Sequence, residues 1–235
     1  MDMEINELFE SCKEFMINHI NTVEVPNLPE SERTYRIEHS MRVAKYAIQI
    51  AENEGYDLQI CVLAAILHDV GKFECYSNKE HGRMSAKISK EFLPTLGLNE
   101  KQVNDICYCI ACHCDKRDDY NYGPIPEEVV IRDADIIDRY GVYRIIQALH
   151  YDGFDDMNLQ EKVEFCKKKI LVLENSIKSK CNTIMGTKLF HMACNIQLEY
   201  FRMLKEELKY TLLETDISKW GLSQNSNLQG KIASH

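Results

Sequence analysis

A chain of 235 residues with 45% hydrophobic residues can bury a sizeable core, as one large domain or a domain with an appendage. Its net charge of -9 and pI near 5.4 argue against a nonspecific nucleic-acid coat or an anionic-membrane binder. No apolar run follows the acidic start Met1-Asp2-Met3-Glu4, and no stretch reaches the roughly 18 apolar residues of a membrane span. The expected location is the cytoplasm, where ten cysteines stay as free thiols.

In chain order, helical periodicity predicts a first amphipathic helix over Glu4 to Ile20, closed by the Pro26 to Pro29 loop. A second runs from Ser31 to Glu54, with Ile37, Met41, Val43, Ala44, Ala47, Ile48, Ile50 and Ala51 at helical spacing. Leu58 to Val70 reads as a buried third helix, with Gly71 as its terminator. Next come a loop from Phe73 to Gly82, a helix from Ser85 to Leu93 and another from Asn99 to Cys114. The polar segment Asp115 to Pro126 is a long loop, of the sort that is often functional. Helices over Glu127 to Gln147, interrupted near Gly141, then Leu159 to Cys181 and Thr187 to Glu214, complete the chain. With almost no alternating strand patterns, the expectation is all-α: a single domain over 1–222, with a motif core at 31–144 and C-terminal helices at 159–214. Residues 223–235 read as a flexible tail.

The thiols Cys107, Cys109, Cys112 and Cys114 crowd one helix. Cys109-Ile110-Ala111-Cys112-His113 matches the spacing for covalent haem attachment, a chemistry of exported proteins. A structural zinc site usually needs a second distant cysteine pair. The reading adopted is a cysteine-rich core helix.

Elsewhere the chain places residues of metal-ligand type where a site needs them. His39 shares the inward face of its helix with Val43, Ala47 and Ile50. His68 and Asp69 end the apolar run Ile60 to Leu67, a costly place for polar groups unless they are paired or metal-bound. Asp135 sits inward on a later helix, and His81 and His113 add two further imidazoles. Imidazoles and carboxylates in this proportion suit a divalent first-row ion with open positions for water or substrate.

Tyr35-Arg36-Ile37-Glu38-His39-Ser40-Met41-Arg42-Val43, Ala64 to Lys72, His81-Gly82-Arg83-Met84-Ser85 and Arg132-Asp133-Ala134-Asp135 together resemble the HD-domain superfamily of metal-dependent phosphohydrolases. The resemblance implies an HD-type helical bundle with added C-terminal helices, and a metal held by His39, His68, Asp69 and Asp135. It makes His81 and His113 candidates for a second metal or for substrate phosphate. Where two-metal members often carry adjacent histidines, this chain has His113-Cys114. The implied reaction is attack of a metal-bound hydroxide on a phosphomonoester or phosphodiester of a nucleotide or other small phosphorylated metabolite. The metal could be Mn, Fe, Co, Ni, Zn or Mg.

Asp69 and Lys72 are read as catalytic. Lys72 and Arg42 are read as phosphate contacts, against the alternatives of a helix-capping lysine and an Arg42–Glu38 ion pair. Arg139, four residues after Asp135, is placed to brace it. Lys116, Arg117, Tyr120 and Tyr122 are candidates for the rim of the site. A homodimer is allowed by the apolar faces of the C-terminal helices; no membrane and no stable nucleic-acid partner is expected. Two rival readings are a silent metal or nucleotide sensor and a di-iron oxygenase on the same scaffold.

Overall fold

The computed structural model describes residues 3–75, 80–114, 122 and 124–212. Among them there is no strand, and the architecture is all-α. Its helices are α1 (Met3–Thr22), α2 (Glu30–Glu54), α3 (Leu58–Leu67), α4 (His81–Phe92), α5 (Glu100–Cys112), α6 (Glu128–Arg139), α7 (Tyr143–Tyr151), α8 (Leu159–Ser176) and α9 (Ile184–Leu212). Short 3-10 turns at Leu93–Leu96 and Phe154–Asp156 follow α4 and α7. No helix among the described residues is long and apolar enough to cross a membrane. The expected 223–235 tail, with Lys116, Arg117 and Tyr120, lies outside the described residues.

Helix α3 is the centre of the fold. Asp57 caps its start by accepting from the Ile60 backbone N–H at 3.0 Å. Every residue from Ile60 to Leu67 is buried, so α3 has no solvent face and is packed by α1, α2, α5 and α6. A fully buried Leu63 contributes about 1.5–3 kcal/mol of transfer free energy, and truncation to alanine costs about 2–5 kcal/mol.

The expected helix to Val70 stops at Leu67. Beyond it the chain tightens, with Val70 N–H bonding to Leu67 O and Lys72 N–H to Asp69 O at 3.1 and 3.0 Å. That tightening turns His68 and Asp69 out of the apolar column toward the space between α2, α4 and α5.

Gly71 is not the left-handed cap expected of it, since it is absent from the positive-φ residues. Its backbone N–H instead bonds to Ser85 Oγ at 3.0 Å, and a Cβ there would lie 2.7 Å from the Ser85 nitrogen. The residue is glycine because α4 presses directly on the chain. Gly82 allows a second close approach on the far side of α4: a Cβ would sit 2.9 Å from Ala111 O on α5. These two contacts set α4 between the turn after α3 and the end of α5. The helix starts at His81, four residues before the expected Ser85.

The expected interruption near Gly141 separates α6 from α7. Asp133 on α6, buried to 1% exposure, ties α9 to the bundle. Its carboxylate accepts from Asn182 N, Asn182 Nδ2, Thr183 N and Thr183 Oγ1 at 2.7–3.0 Å. With Thr183 Oγ1 accepting from Gly186 N–H at 3.0 Å, those bonds set the start of α9 at Ile184 rather than Thr187, while α8 ends at Ser176 rather than Cys181. A second apolar cluster, Ile145, Phe165, Cys166, Ile170, Leu173, Leu198 and Phe201, joins α7, α8 and α9. The larger core surrounds α3 and takes in Leu189, Phe190 and Cys194 of α9.

Candidate metal centre

Four imidazoles converge on one carboxylate. His39 comes from the buried face of α2, His68 and Asp69 from the turn after α3, His81 from the first residue of α4, and His113 from the end of α5. All five are at most 8% exposed. His39 Nε2 lies 3.2 Å from His68 Nε2, and each is 3.6 Å from Asp69 Oδ2. His81 Nε2 lies 3.0 Å from His113 Nε2, and the two are 3.0 and 3.7 Å from the other Asp69 oxygen, Oδ1. Each oxygen of Asp69 thus faces a different histidine pair.

Tautomers follow from what stands behind the rings. His39 Nδ1 is 2.7 Å from Asp138 Oδ2, His68 Nδ1 is 2.7 Å from Ala65 O, and His113 Nδ1 is 2.6 Å from Ile110 O. Those oxygens only accept, so each Nδ1 carries a proton, and each ring in its neutral form turns a bare Nε2 lone pair inward. His81 differs: Lys72 Nζ donates to its Nδ1 at 3.1 Å, leaving the proton on Nε2.

Lone pairs aimed at one another repel unless a proton or a metal ion sits between them, and the ionisation of these groups reflects that demand. Burial works to lower the His39 pKa, but hydrogen bonds to Asp135 and Asp138 and the Asp69 charge raise it on balance. Burial likewise works against His113, which Asp69 and Cys114 nonetheless carry up. Burial holds His68 neutral, with its pKa lowered to about 3. Asp69 stays ionised well below the usual carboxylate range: burial opposes this, while Arg36 and the surrounding histidines favour it. Its Oδ1 is buried without a satisfactory hydrogen bond. An orphaned carboxylate oxygen beside inward lone pairs fits a divalent cation. Ligand-type atoms of His39, His68 and Asp69 lie within 4.8 Å of one another, as do those of His81, His113 and Cys114, so either group could hold an ion.

Asp135 reaches this centre through His39, with Oδ1 at 3.4 Å from Nε2. Arg139 braces it from behind at 3.0 Å. Burial works against ionisation of Asp135, yet His39 and Arg139 hold it ionised below the usual range. Arg42, expected to contact phosphate, is engaged by carboxylates. It grips Asp138 through Nε at 2.6 Å and Nη2 at 3.2 Å, and stays 3.8 Å from Glu38.

Several residues of the site do not stand out in the sequence. Asp138 orients His39, Arg36 pairs with Asp69 Oδ2, and Cys114 approaches His81 and His113. Cys114, which the sequence groups with the core thiols, lies beyond the end of α5 and lines the cleft, whereas Cys107, Cys109 and Cys112 are buried on that helix. Tyr122, a candidate rim residue, donates to Asp105 Oδ1 at 2.6 Å rather than facing the site.

The cleft has a volume of about 530 Å³. Its floor is the histidine–aspartate set, and its walls carry Arg36, Lys72, Arg139, Arg144, Tyr35 and Tyr151. The result is a buried histidine–carboxylate centre that could hold a metal ion, under a cation-lined cleft on an all-α scaffold. Residues 36–140 match the HD domain family, so this part of the chain is an HD domain.

An uncharacterized protein of Clostridium beijerinckii is 36% identical over 86 residues; that match takes in 35% of this chain, and the chain spans only about half (55%) of that relative. A predicted HD superfamily hydrolase from an uncultured Thermotogales bacterium shares the fold at TM-score 0.59 and 20% identity, covering 88% of this chain and 99% of its own. YpgQ of Bacillus subtilis, solved in complex with ADP, gives TM-score 0.60 at 21% identity over 87% of this chain and 97% of its own. An HD-superfamily hydrolase from Bacillus thuringiensis gives 0.58 at 20% identity, over 87% and 98%.

Proposed function

We propose that this chain is a metal-dependent phosphohydrolase, cleaving a phosphomonoester or phosphodiester of a nucleotide or another small phosphorylated metabolite. The observation that carries this reading is the placement of Asp69, one oxygen toward each histidine pair, beneath a cleft walled by arginines and a lysine. In it, His39, His68, Asp69 and Asp135 hold the first divalent ion. His81 and His113 serve a second ion or the substrate phosphate. When bound, the ion supplies a Lewis acid that lowers the pKa of water and polarises a phosphoryl oxygen.

The chain's own residues do the remaining work. Asp138 and Ala65 O keep the Nε2 atoms of His39 and His68 free and aimed. Arg36 and Lys72 stand beside Asp69 and neutralise charge that develops on the phosphoryl oxygens, where guanidinium and ammonium donors are most effective. Arg144 and the rings of Tyr35 and Tyr151 line the outer cleft and suit the remainder of a nucleotide. A cleft of about 530 Å³ falls within the ordinary range for small-molecule sites. That YpgQ, of the same fold, was solved with ADP supports a nucleotide as ligand. The imidazole-rich ligand set favours Mn, Fe, Co, Ni or Zn over Mg. A cytoplasmic location fits such a substrate.

Metal analysis of the purified protein, followed by phosphate release from a panel of nucleotides and phosphodiesters, tests the reading. Metal retention with release from at least one substrate supports it. A carboxylate facing two histidine pairs also suits a di-iron oxygenase, and bound iron with oxygen consumption and no phosphate release would put that reading in its place.

A further inference from the structure

The geometry points to Cys114 as a thiolate ligand of a second ion, held with His81, His113 and the Asp69 oxygen that faces them, and selecting a thiophilic divalent metal such as zinc. This inference rests on the reading of Asp69 as a metal ligand. Cys114 Sγ lies 3.0 Å from His81 Nε2 and 3.2 Å from His113 Nε2. The two Nε2 atoms are 3.0 Å apart, and Asp69 Oδ1 is 3.0 and 3.7 Å from them. Zinc–nitrogen bonds of about 2.0–2.1 Å and zinc–sulfur bonds of about 2.3 Å require tetrahedral edges of about 3.3 Å between nitrogens and about 3.6 Å between nitrogen and sulfur. The two imidazole nitrogens and the sulfur need to spread by only a few tenths of an ångström to accept that ion, while Asp69 Oδ1 draws in toward His113.

The fold provides for the sulfur. Gly82 leaves space where a Cβ would come within 3.1 Å of Cys114 Sγ. A thiol placed only for packing needs no polar neighbours, as with Cys12 and Cys61 in the apolar core. Cys114 has two imidazole nitrogens around it instead.

Softness then decides which ion enters. Thiolate favours zinc and cobalt over magnesium and manganese, whereas His39, His68, Asp69 and Asp135 contain no sulfur and select less sharply. On binding, the Cys114 S–H proton leaves to solvent, and the His81 proton moves from Nε2 to Nδ1. Lys72, an obligate donor, then releases Nδ1 and is free to turn into the cleft.

The test is cobalt(II) titration of the metal-stripped full chain, reading bound equivalents and the near-ultraviolet thiolate-to-cobalt charge-transfer band. The wild type is expected to bind two equivalents with the band, and Cys114→Ser one equivalent without it. Cys114→His restores the second equivalent but not the band, which separates ligation from folding. A band that survives in Cys114→Ser, or two wild-type equivalents without a band, overturns the inference. One wild-type equivalent that is lost in His68→Ala and kept in Cys114→Ser also overturns it while leaving the first centre standing. No bound equivalent at all removes both readings.

Discussion

On the α2–α3–α6 side of the cleft, every imidazole is fixed from behind by an oxygen: Asp138 holds His39 and Ala65 O holds His68. The α4–α5 side has one such anchor, Ile110 O behind His113, while His81 leans on the Lys72 ammonium. The first side is set for a cation before one arrives. The second must move a proton and release a lysine. The same residue types therefore give a preorganised half and an adjustable half, and tighter, less discriminating binding belongs to the first.

The largest expected effect falls on the preorganised half. His68→Ala removes a donor that is 0% exposed, and phosphate release should drop by at least about 10³-fold with the first equivalent of metal lost. Retention of both in a titration of the variant would show that His68 is only a buried hydrogen-bonding residue.

Asp138→Asn keeps the volume but takes the charge from behind His39. Metal affinity should weaken about 10–100-fold, the usual cost of losing an outer-shell partner, with little change on the α4–α5 side. Equal weakening at both sides would erase the distinction between them. Lys72→Ala should lower kcat about tenfold, or ~1.4 kcal/mol, while metal content stays unchanged. Loss of metal in that variant would make Lys72 a support for His81 alone.

The gentlest probe is thiol alkylation against pH in the metal-free protein. Burial tends to raise the Cys114 pKa, but hydrogen bonds to His113 and His81 lower it on balance, to about 7. Thiolate is the nucleophile, so its reactivity should rise as pH increases through about 7 and saturate above it. Burial pushes Cys12 and Cys181 up to about 12, and both should stay inert across that range. Zinc should protect Cys114. A profile centred near the ordinary thiol value would mean that the imidazoles do not reach the sulfur.

How much of this is legible in the sequence depends on sequence distance. His39, His68 and Asp69 stand out because helical spacing and an unbroken apolar run mark them as polar groups at buried positions. The all-α order is readable for the same reason. Asp138 does not stand out, because its partner His39 is 99 residues away and no periodicity on α6 distinguishes an outer-shell carboxylate from a surface one. The pairing of Arg42 with Asp138 is hidden by the same gap, since only the folded chain brings that carboxylate to its guanidinium. Cys114 is hidden by its neighbours: a run of cysteines on one helix looks uniform until the helix ends at Cys112 and leaves the last thiol at the cleft. Gly71 shows the limit of local rules, because its place is dictated by α4 arriving from further along the chain.

Asp69→Ala, with metal content and phosphate release read on the same samples, addresses the centre on which both halves depend. The account predicts that bound metal and hydrolysis vanish together while the helical fold persists. A variant that keeps its metal and hydrolyses substrate at the wild-type rate would contradict it.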